Sequence, residues 1–387
     1  MACLLRLPGN GGPGVFSLTT WERDHVVRKQ PAVAQQLARL KPRWLIGLHH
    51  NWHDFAFRYD DLFDFSLAGE EDLIEASGRP FPLIPYDACN FAPECFAPGN
   101  TEKFWDVLYV ARAVFFKCIP EFFDCIKALY SRGERLRVLF ICPVPPNASG
   151  SKNETVLDVR RLYESNFSRE EQDLFTLLAT EHRYPFPFDL DTLAFFYRSS
   201  RVFVHFASDE RRCRVASYAW ASGMPVVAMA PVASLLPQPL RRPPYFFEAK
   251  AFADFPDVIV RAREASVDPP DGAAQACFRA ARSVAKLDGA LGALAKVRGL
   301  PYEEGQLLST GLDIRLGRHH MQVASGNTLG MQLVDFLRYL GDRPVEDLVA
   351  PLRARDPERA IAAQVAPSSG TVSDGDVTFW SRLRRRF

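Results

Sequence analysis

The chain has 387 residues, 47% apolar and 24% charged, enough apolar surface for one large core or two medium ones and too much for a disordered chain. Lysine and arginine total 47 against 46 for aspartate and glutamate, so no broad field attracts a polyanion, and nucleic acid is not an expected partner. Eight cysteines with no C-x-x-C pair, a start that breaks at proline and glycine, and the lack of a run of about eighteen apolar residues point to a soluble cytoplasmic protein with neither a structural zinc site nor a transmembrane segment.

After the Gly/Pro-rich beginning, His25 to Leu40 reads as a short helix with Pro42 at its exit, and WLIGLHH, Trp44 to His50, as a buried strand. The polar, aromatic NWHDFAFRYDD follows. A second small unit, DFSLAGEEDLIEASG, leads into FPLIPYD around Ile84, whose prolines preclude a long central strand. CNFAPECFAPGN reads as a linker and puts a domain boundary near residue 95. The expected organisation is an N-terminal lobe over 1–95, a Rossmann-like lobe over 96–300, and a helical and irregular extension over 301–387.

The second unit has the clearer pattern. FWDVLYV (Phe104 to Val110) predicts a strand, Pro120 to Leu129 a helix, and LRVLFICPV (Leu136 to Val144) another strand, which together imply a right-handed parallel crossover. Glu170 to Ala179 is expected to be helical, and Asp191 to cap a helix over TLAFFYRSS. VFVHFA (Val202 to Ala207) and PVVAMA (Pro225 to Ala230) predict strands flanking a short helix in CRVASYAWASG, ended by Gly223. FADFPDVIVRARE, ACFRAARSVAKLDGALGALAKV and MQLVDFLRYLG are amphipathic helix patterns.

Three constellations could carry chemistry. In YVARAVFFK, Arg112 and Lys117 follow a strand's carboxyl end, where open α/β sheets bind ligands; as cations they could meet a diphosphate, or they could simply be solvated loop residues. In FASDERRCRVASYAWASGMPVV, Asp209 and Glu210 lie between a strand and a helix, where Glu210 could accept hydrogen bonds from sugar hydroxyls or either residue could only cap. Arg211, Arg212 and Arg214 are possible phosphate donors, with at least one expected to face solvent, and Tyr218 could touch a base or ribose or pack in the core.

The third constellation is HHNWH, in which His49, His50 and His53 could bracket a cleft, bind a metal or be structural; there is no H-E-x-x-H arrangement. The acidic run GEEDLIE reads as solvated charge, and the basic run Arg382, Arg384, Arg385 and Arg386 as a solvated tail. N-x-S/T triplets begin at Asn147, Asn153 and Asn166. No G-x-G-x-x-G dinucleotide fingerprint opening a helix, no Walker lysine and no G-x-S-x-G motif is present, the GNGGPG at Gly9 to Gly14 lying in the Gly/Pro-rich beginning, which disfavours dehydrogenase, P-loop and hydrolase chemistry.

From about residue 83 to 265 the chain resembles the retaining, two-Rossmann glycosyltransferases of the GT-B fold, especially their family 4. LIPYDACNFAPECFAP is similar to the interdomain segment, VLYVARAVFFK to the strand bearing the diphosphate-binding arginine and lysine, and SDERRCRVASYAWASGMPVV to the two-glutamate donor motif. The resemblance implies an α/β fold of two Rossmann-type lobes with an abbreviated N-terminal one. It carries catalytic roles to Arg112, Lys117 and Glu210 and a substrate contact to His50, with His49 fitting nearly as well; Asp209, Arg214 and Tyr218 are the other candidate substrate contacts. Tyr218 stands where the family has its second glutamate, and Arg211 and Cys213 stand where it has small glycines.

The implied reaction moves a sugar from a nucleoside diphosphate sugar to a hydroxyl-bearing acceptor with retained configuration, with no cofactor and no required metal. The alternatives are a noncatalytic sugar- or nucleotide-binding relative and a phosphorylase-like or nucleotide-sugar-modifying enzyme. The base, sugar, acceptor and oligomeric state stay open.

Overall fold

Two β-sheets organise the chain in a computed structural model, which describes residues 3–9, 11–50, 60–68, 83–144, 159–181, 188–265, 272–309, 311–316 and 333–342. His53, the GEEDLIE run, the triplets at Asn147 and Asn153, and the terminal arginines lie outside the described residues.

The first sheet has five strands side by side in chain order: β1 (Cys3–Arg6), β2 (Gly14–Thr19), β3 (Trp44–His49), β4 (Phe65–Leu67) and β5 (Leu83–Ile84). Only β1 is antiparallel; the others run parallel. β2 and β3 are buried along their whole length, as their continuous apolar sequences require of strands covered on both faces. Gly47 is needed where it stands, because a β-carbon there would lie 2.3 Å from the Phe65 ring of β4.

The Gly/Pro-rich beginning therefore contains two strands that the sequence did not reveal. CLLR and GVFSLT are too short to show periodicity, and pairing, with the glycines in the connecting turn, makes them strands. The helix expected over His25 to Leu40 is divided: a π-helical turn spans Arg23–Val27, and the α-helix spans Pro31–Leu40. Pro31 is at its first turn, where a missing N–H costs nothing. Its Val33, Leu37 and Leu40 are buried on the first sheet, each contributing about 1.5–3 kcal/mol of burial.

The second sheet has six strands, all parallel, in the order β11-β10-β9-β6-β7-β8. These are β6 (Trp105–Val110), β7 (Val138–Val144), β8 (Phe175–Glu181), β9 (Ser200–His205), β10 (Val226–Ala228) and β11 (Phe246–Glu248). The four strands read from sequence, β6, β7, β9 and β10, share this sheet. Counting from β6, the order is that of the doubly wound dinucleotide-binding fold, and it reverses direction between β6 and β9.

The helix expected over Glu170 to Ala179 is a correction. It stops at Gln172, and FTLLATE becomes β8, paired along seven residues with β7. An unfilled parallel edge offers this aromatic and β-branched segment a full ladder, which outweighs a weak helical tendency. The following helix, Leu190–Arg198, is capped by Asp189, not Asp191: the Asp189 carboxylate accepts from the Thr192 N–H at 2.8 Å. Gly223, at φ 76°, ends the helix Arg214–Ala221.

Aromatic side chains dominate the second core. Phe122 and Phe123 of the helix Ile119–Ser131 meet Phe140, Phe175 and Phe206 largely edge to face. The late helices return to the first sheet. Leu287, Leu291 and Ala295 of the helix Ala280–Val297 pack with Leu5, Leu45 and Phe65, and Phe336, Leu337 and Leu340 of Leu333–Asp342 pack with Phe16, Leu37 and Leu48.

Candidate donor site at the strand switch

In an open parallel sheet, chain connections leave β6 and β9 toward opposite faces, which opens a crevice at their carboxyl ends. Two sequence-predicted residues meet there. After β6 the chain makes a tight turn over Phe115–Lys117, and Cys118 takes a left-handed conformation, φ 48°, before the helix Ile119–Ser131 begins. The buried Tyr109 hydroxyl donates to the Lys117 carbonyl at 2.5 Å and fixes this turn. Lys117 Nζ then donates to Glu210 Oε2 in an ion pair, with side-chain exposures of only 8% and 14%.

Glu210 sits in the loop after β9 and has a second neighbour. His205, the last residue of β9, is fully buried, with Nε2 2.8 Å from the same Oε2, an approach off the axis of the ring N–H. Its Nδ1 lies 3.4 Å from the Cys213 thiol. Burial alone would raise the Glu210 pKa, but the Lys117 ammonium and then His205 outweigh it and hold the carboxyl well below the usual carboxylate range. Burial likewise lowers the His205 pKa, with Glu210 opposing it, and pushes the Cys213 thiol up.

His205, Glu210 and Cys213 each offer a metal-ligand atom within 4.8 Å of the others. As the side chains stand, the imidazole turns Nδ1 to the thiol and Nε2 to the carboxylate, and Lys117 is already on that carboxylate.

The other predicted residues are placed differently. Arg112 is at the same sheet edge, five residues before Lys117, and is exposed; its carbonyl accepts from the Val114 N–H at 2.8 Å. Asp209 is exposed and accepts from the Ser208 hydroxyl at 3.1 Å. Tyr218 is fully buried: its hydroxyl donates to Asp313 Oδ2 at 2.6 Å, and its ring stacks on Phe96 at 4.2 Å. Arg214 Nη1 donates to the Asp313 carbonyl at 2.7 Å. The expectation that one of the three clustered arginines faces solvent is corrected: Arg212 is buried, and Arg211 and Arg214 are half-buried.

Arg212 instead crosses to the first lobe. Its Nη1 donates to the His50 carbonyl at 3.1 Å, and its Nε lies 3.4 Å from Asp87 Oδ2. His50 is buried, with Nε2 3.3 Å from the Ser66 hydroxyl. His49, beside it, is also buried, and neither ring nitrogen has a hydrogen-bond partner among the described residues. Burial first, then the charges of Arg212 and His50, lower its pKa to about 3.

Sequence reasoning missed His205, Cys213, Asp87 and Asp313. Only His205 left a trace, as the polar residue closing the apolar run VFVH five positions before Glu210. Cys213, noted only as standing where the family has a glycine, meets His205 eight residues away, and Asp87 and Asp313 act through contacts distant in sequence.

No protein-family model matches the chain, and no curated protein matches it in sequence. Solved structures similar to it include a GtfA/B complex, 15% identical with a TM-score of 0.44, covering 68% of this chain and 55% of that one. Sucrose-phosphate synthase from Thermosynechococcus elongatus is 15% identical with a TM-score of 0.48, covering 74% and 73%. An α,α-trehalose-phosphate synthase (UDP-forming) from Burkholderia vietnamiensis is 16% identical with a TM-score of 0.41, covering 69% and 70%. The chain thus spans about half the length of the GtfA/B chain it matches. At these identities the likeness is one of fold, and the site is defined by the chain's own strand order. No disulfide forms among the described residues, and no helix among them is long and apolar enough to cross a membrane.

Proposed function

We propose that the chain is a glycosyltransferase that takes a sugar from a nucleoside diphosphate sugar and passes it to a hydroxyl-bearing acceptor with retained configuration. The observation that carries this reading is the meeting of Lys117 and Glu210 at the β6/β9 switch. A sugar diphosphate needs a cation for charge that grows on the leaving phosphate and an acceptor for sugar hydroxyls, and this crevice holds one of each. Donor entry would separate the pair, so that Lys117 turns to the diphosphate and Glu210 to the sugar. Arg112, exposed at the same edge, would add a second phosphate contact. The GtfA/B, sucrose-phosphate synthase and trehalose-phosphate synthase likenesses agree with this reading.

A second reading, a noncatalytic nucleotide-sugar binder, has its own support. Tyr218 is committed to Asp313 and Phe96, and Arg212 ties the switch-point loop to His50 and Asp87, so much of the polar equipment is engaged internally. Titration with a panel of nucleoside diphosphate sugars, followed by mass detection of products with and without acceptors, separates the two. Nucleoside diphosphate released only with acceptor supports transfer. Tight donor binding without turnover across the acceptor screen supports the binder, and no binding by any panel member overturns both.

A further inference from the structure

A histidine with no surface exposure closes β9, behind Val202, Phe203 and Val204, which are equally buried. A buried polar ring at the end of an apolar strand needs partners, and here they are Cys213 on one side and Glu210 on the other. One more active role fails on geometry. The order thiol, imidazole, carboxylate has the form of a nucleophile with its base and orienter, but Cys213 and His205 have no exposed surface through which a substrate could reach them.

The detail that remains is which oxygen is used. Lys117 and His205 both lie against Oε2 of Glu210, from two different strand ends. A carboxylate held by one oxygen cannot rotate freely, and its other oxygen has a fixed direction.

We infer that His205 is a positioning residue: with Lys117 it holds Glu210 by Oε2 and dedicates Oε1 to the hydroxyls of the donor sugar. This rests on the reading of the switch-point crevice as a nucleotide-sugar site. One neutral tautomer serves both contacts: Nδ1 accepts from the Cys213 S–H, which leaves the ring proton on Nε2, 2.8 Å from Oε2. Burial, which disfavours the imidazolium, agrees with that neutral ring. The off-axis approach of Nε2 is of the kind that tightens when a ligand occupies a site. When a donor draws Lys117 toward its phosphates, His205 keeps hold of the carboxylate, so Glu210 does not swing with the lysine.

Two measurements on the full chain test this. Imidazole ¹⁵N NMR of the ligand-free protein should show His205 neutral and protonated at Nε2, with that resonance moved by Glu210→Gln. Protonation at Nδ1, or indifference to Glu210→Gln, overturns the positioning role without reference to any ligand. Calorimetric titration then compares UDP-glucose with UDP. His205→Phe should weaken UDP-glucose about tenfold while changing UDP by less than about twofold, because the misdirected carboxylate faces the sugar. His205→Gln, which keeps a donor near Oε2, should restore most of the affinity, and in a Glu210→Gln background the His205→Phe loss should vanish.

Equal weakening of UDP and UDP-glucose, or an undiminished loss in the Glu210→Gln background, would mark a merely structural histidine and overturn the inference. Should the wild type bind neither probe while other panel sugars bind, the same cycle is run with the tightest of those and its nucleoside diphosphate. Should nothing bind, the nucleotide-sugar reading falls and with it the sugar-directed part of the inference, while the NMR result still decides whether His205 holds Glu210.

Discussion

The two sheets differ most at their carboxyl edges. In the first, strands β2 to β5 follow one another in chain order with no reversal, whereas the second reverses between β6 and β9 and so opens a crevice. At that reversal the second sheet gathers Lys117, Glu210, His205 and Cys213 into one contiguous group with its carboxylate neutralised by the lysine. The matching edge of the first sheet ends in His49, a buried ring with no hydrogen-bond partner among the described residues, and His50, whose carbonyl is taken by Arg212. Both edges bury a neutral imidazole, but His205 stands between a thiol and a compensated carboxylate, whereas His49 has no hydrogen-bond partner among the described residues. Strand order decides where polar groups can collect, and compensation decides whether they can stay ionised there.

Lys117→Ala should have the largest effect, because it leaves the Glu210 carboxylate buried beside a neutral imidazole. A loss of about 3–5 kcal/mol is expected from chemical denaturation, as for breaking a buried pair from one side. The paired change Lys117→Met with Glu210→Leu should recover most of it, since an apolar pair of similar volume carries no desolvation cost. If the single and double variants are equally unstable, the turn fixed by Tyr109, and not charge compensation, governs this edge.

The acid response should separate the two edges next. Glu210 has its folded pKa below the ordinary 4.5, so its contribution is fully present above that value and is lost as pH falls through the depressed folded one. His49 is a base whose pKa drops from 6.5 to about 3. Between those values the unfolded chain binds the extra proton, so stability falls as pH is lowered through that window and levels off below it. His49→Phe should make the stability profile shallower between about pH 6.5 and 3, leaving the part that belongs to His205, whose pKa burial also lowers, and the loss below pH 4.5 that belongs to Glu210. An unchanged slope in urea titrations across that range would show that His49 is not buried neutral.

Arg212→Ala tests the bond between the edges. Removing it leaves the His50 carbonyl and the buried Asp87 without a shared donor, and a cost of about 1.5–3 kcal/mol is expected from loss of a hydrogen bond to a charged group. Tyr218→Phe should have the smallest effect, about 1 kcal/mol for the hydroxyl's bond to Asp313, with the stack on Phe96 intact. If Tyr218→Phe also lowers donor affinity severalfold, its hydroxyl serves the ligand as well as Asp313.

The parallel strands β6, β7, β9 and β10 were legible because a strand buried on both faces must be apolar throughout, and that leaves a continuous run in the sequence. The place of Lys117 and Glu210 at the sheet's carboxyl edge was legible for a related reason: the residues that follow a strand's end line that edge, so their place follows once the strand is found. β8 was misread because FTLLATE serves a helix or an edge strand equally well until β7 offers it a ladder. β1 and β2 were hidden for lack of length.

By itself, then, the sequence determined a parallel α/β second lobe and two residues at the carboxyl edge of its sheet, since both are set by composition over a few consecutive positions. Only the tertiary structure decided the reversal between β6 and β9, the passage of Arg212 to the first lobe, the burial of Tyr218 against Asp313, and the seating of Glu210 between Lys117 and His205. Each joins groups that the chain keeps apart, up to 162 residues in the case of Arg212 and His50, and spacing along a sequence carries no distance once the chain has turned through a sheet and back.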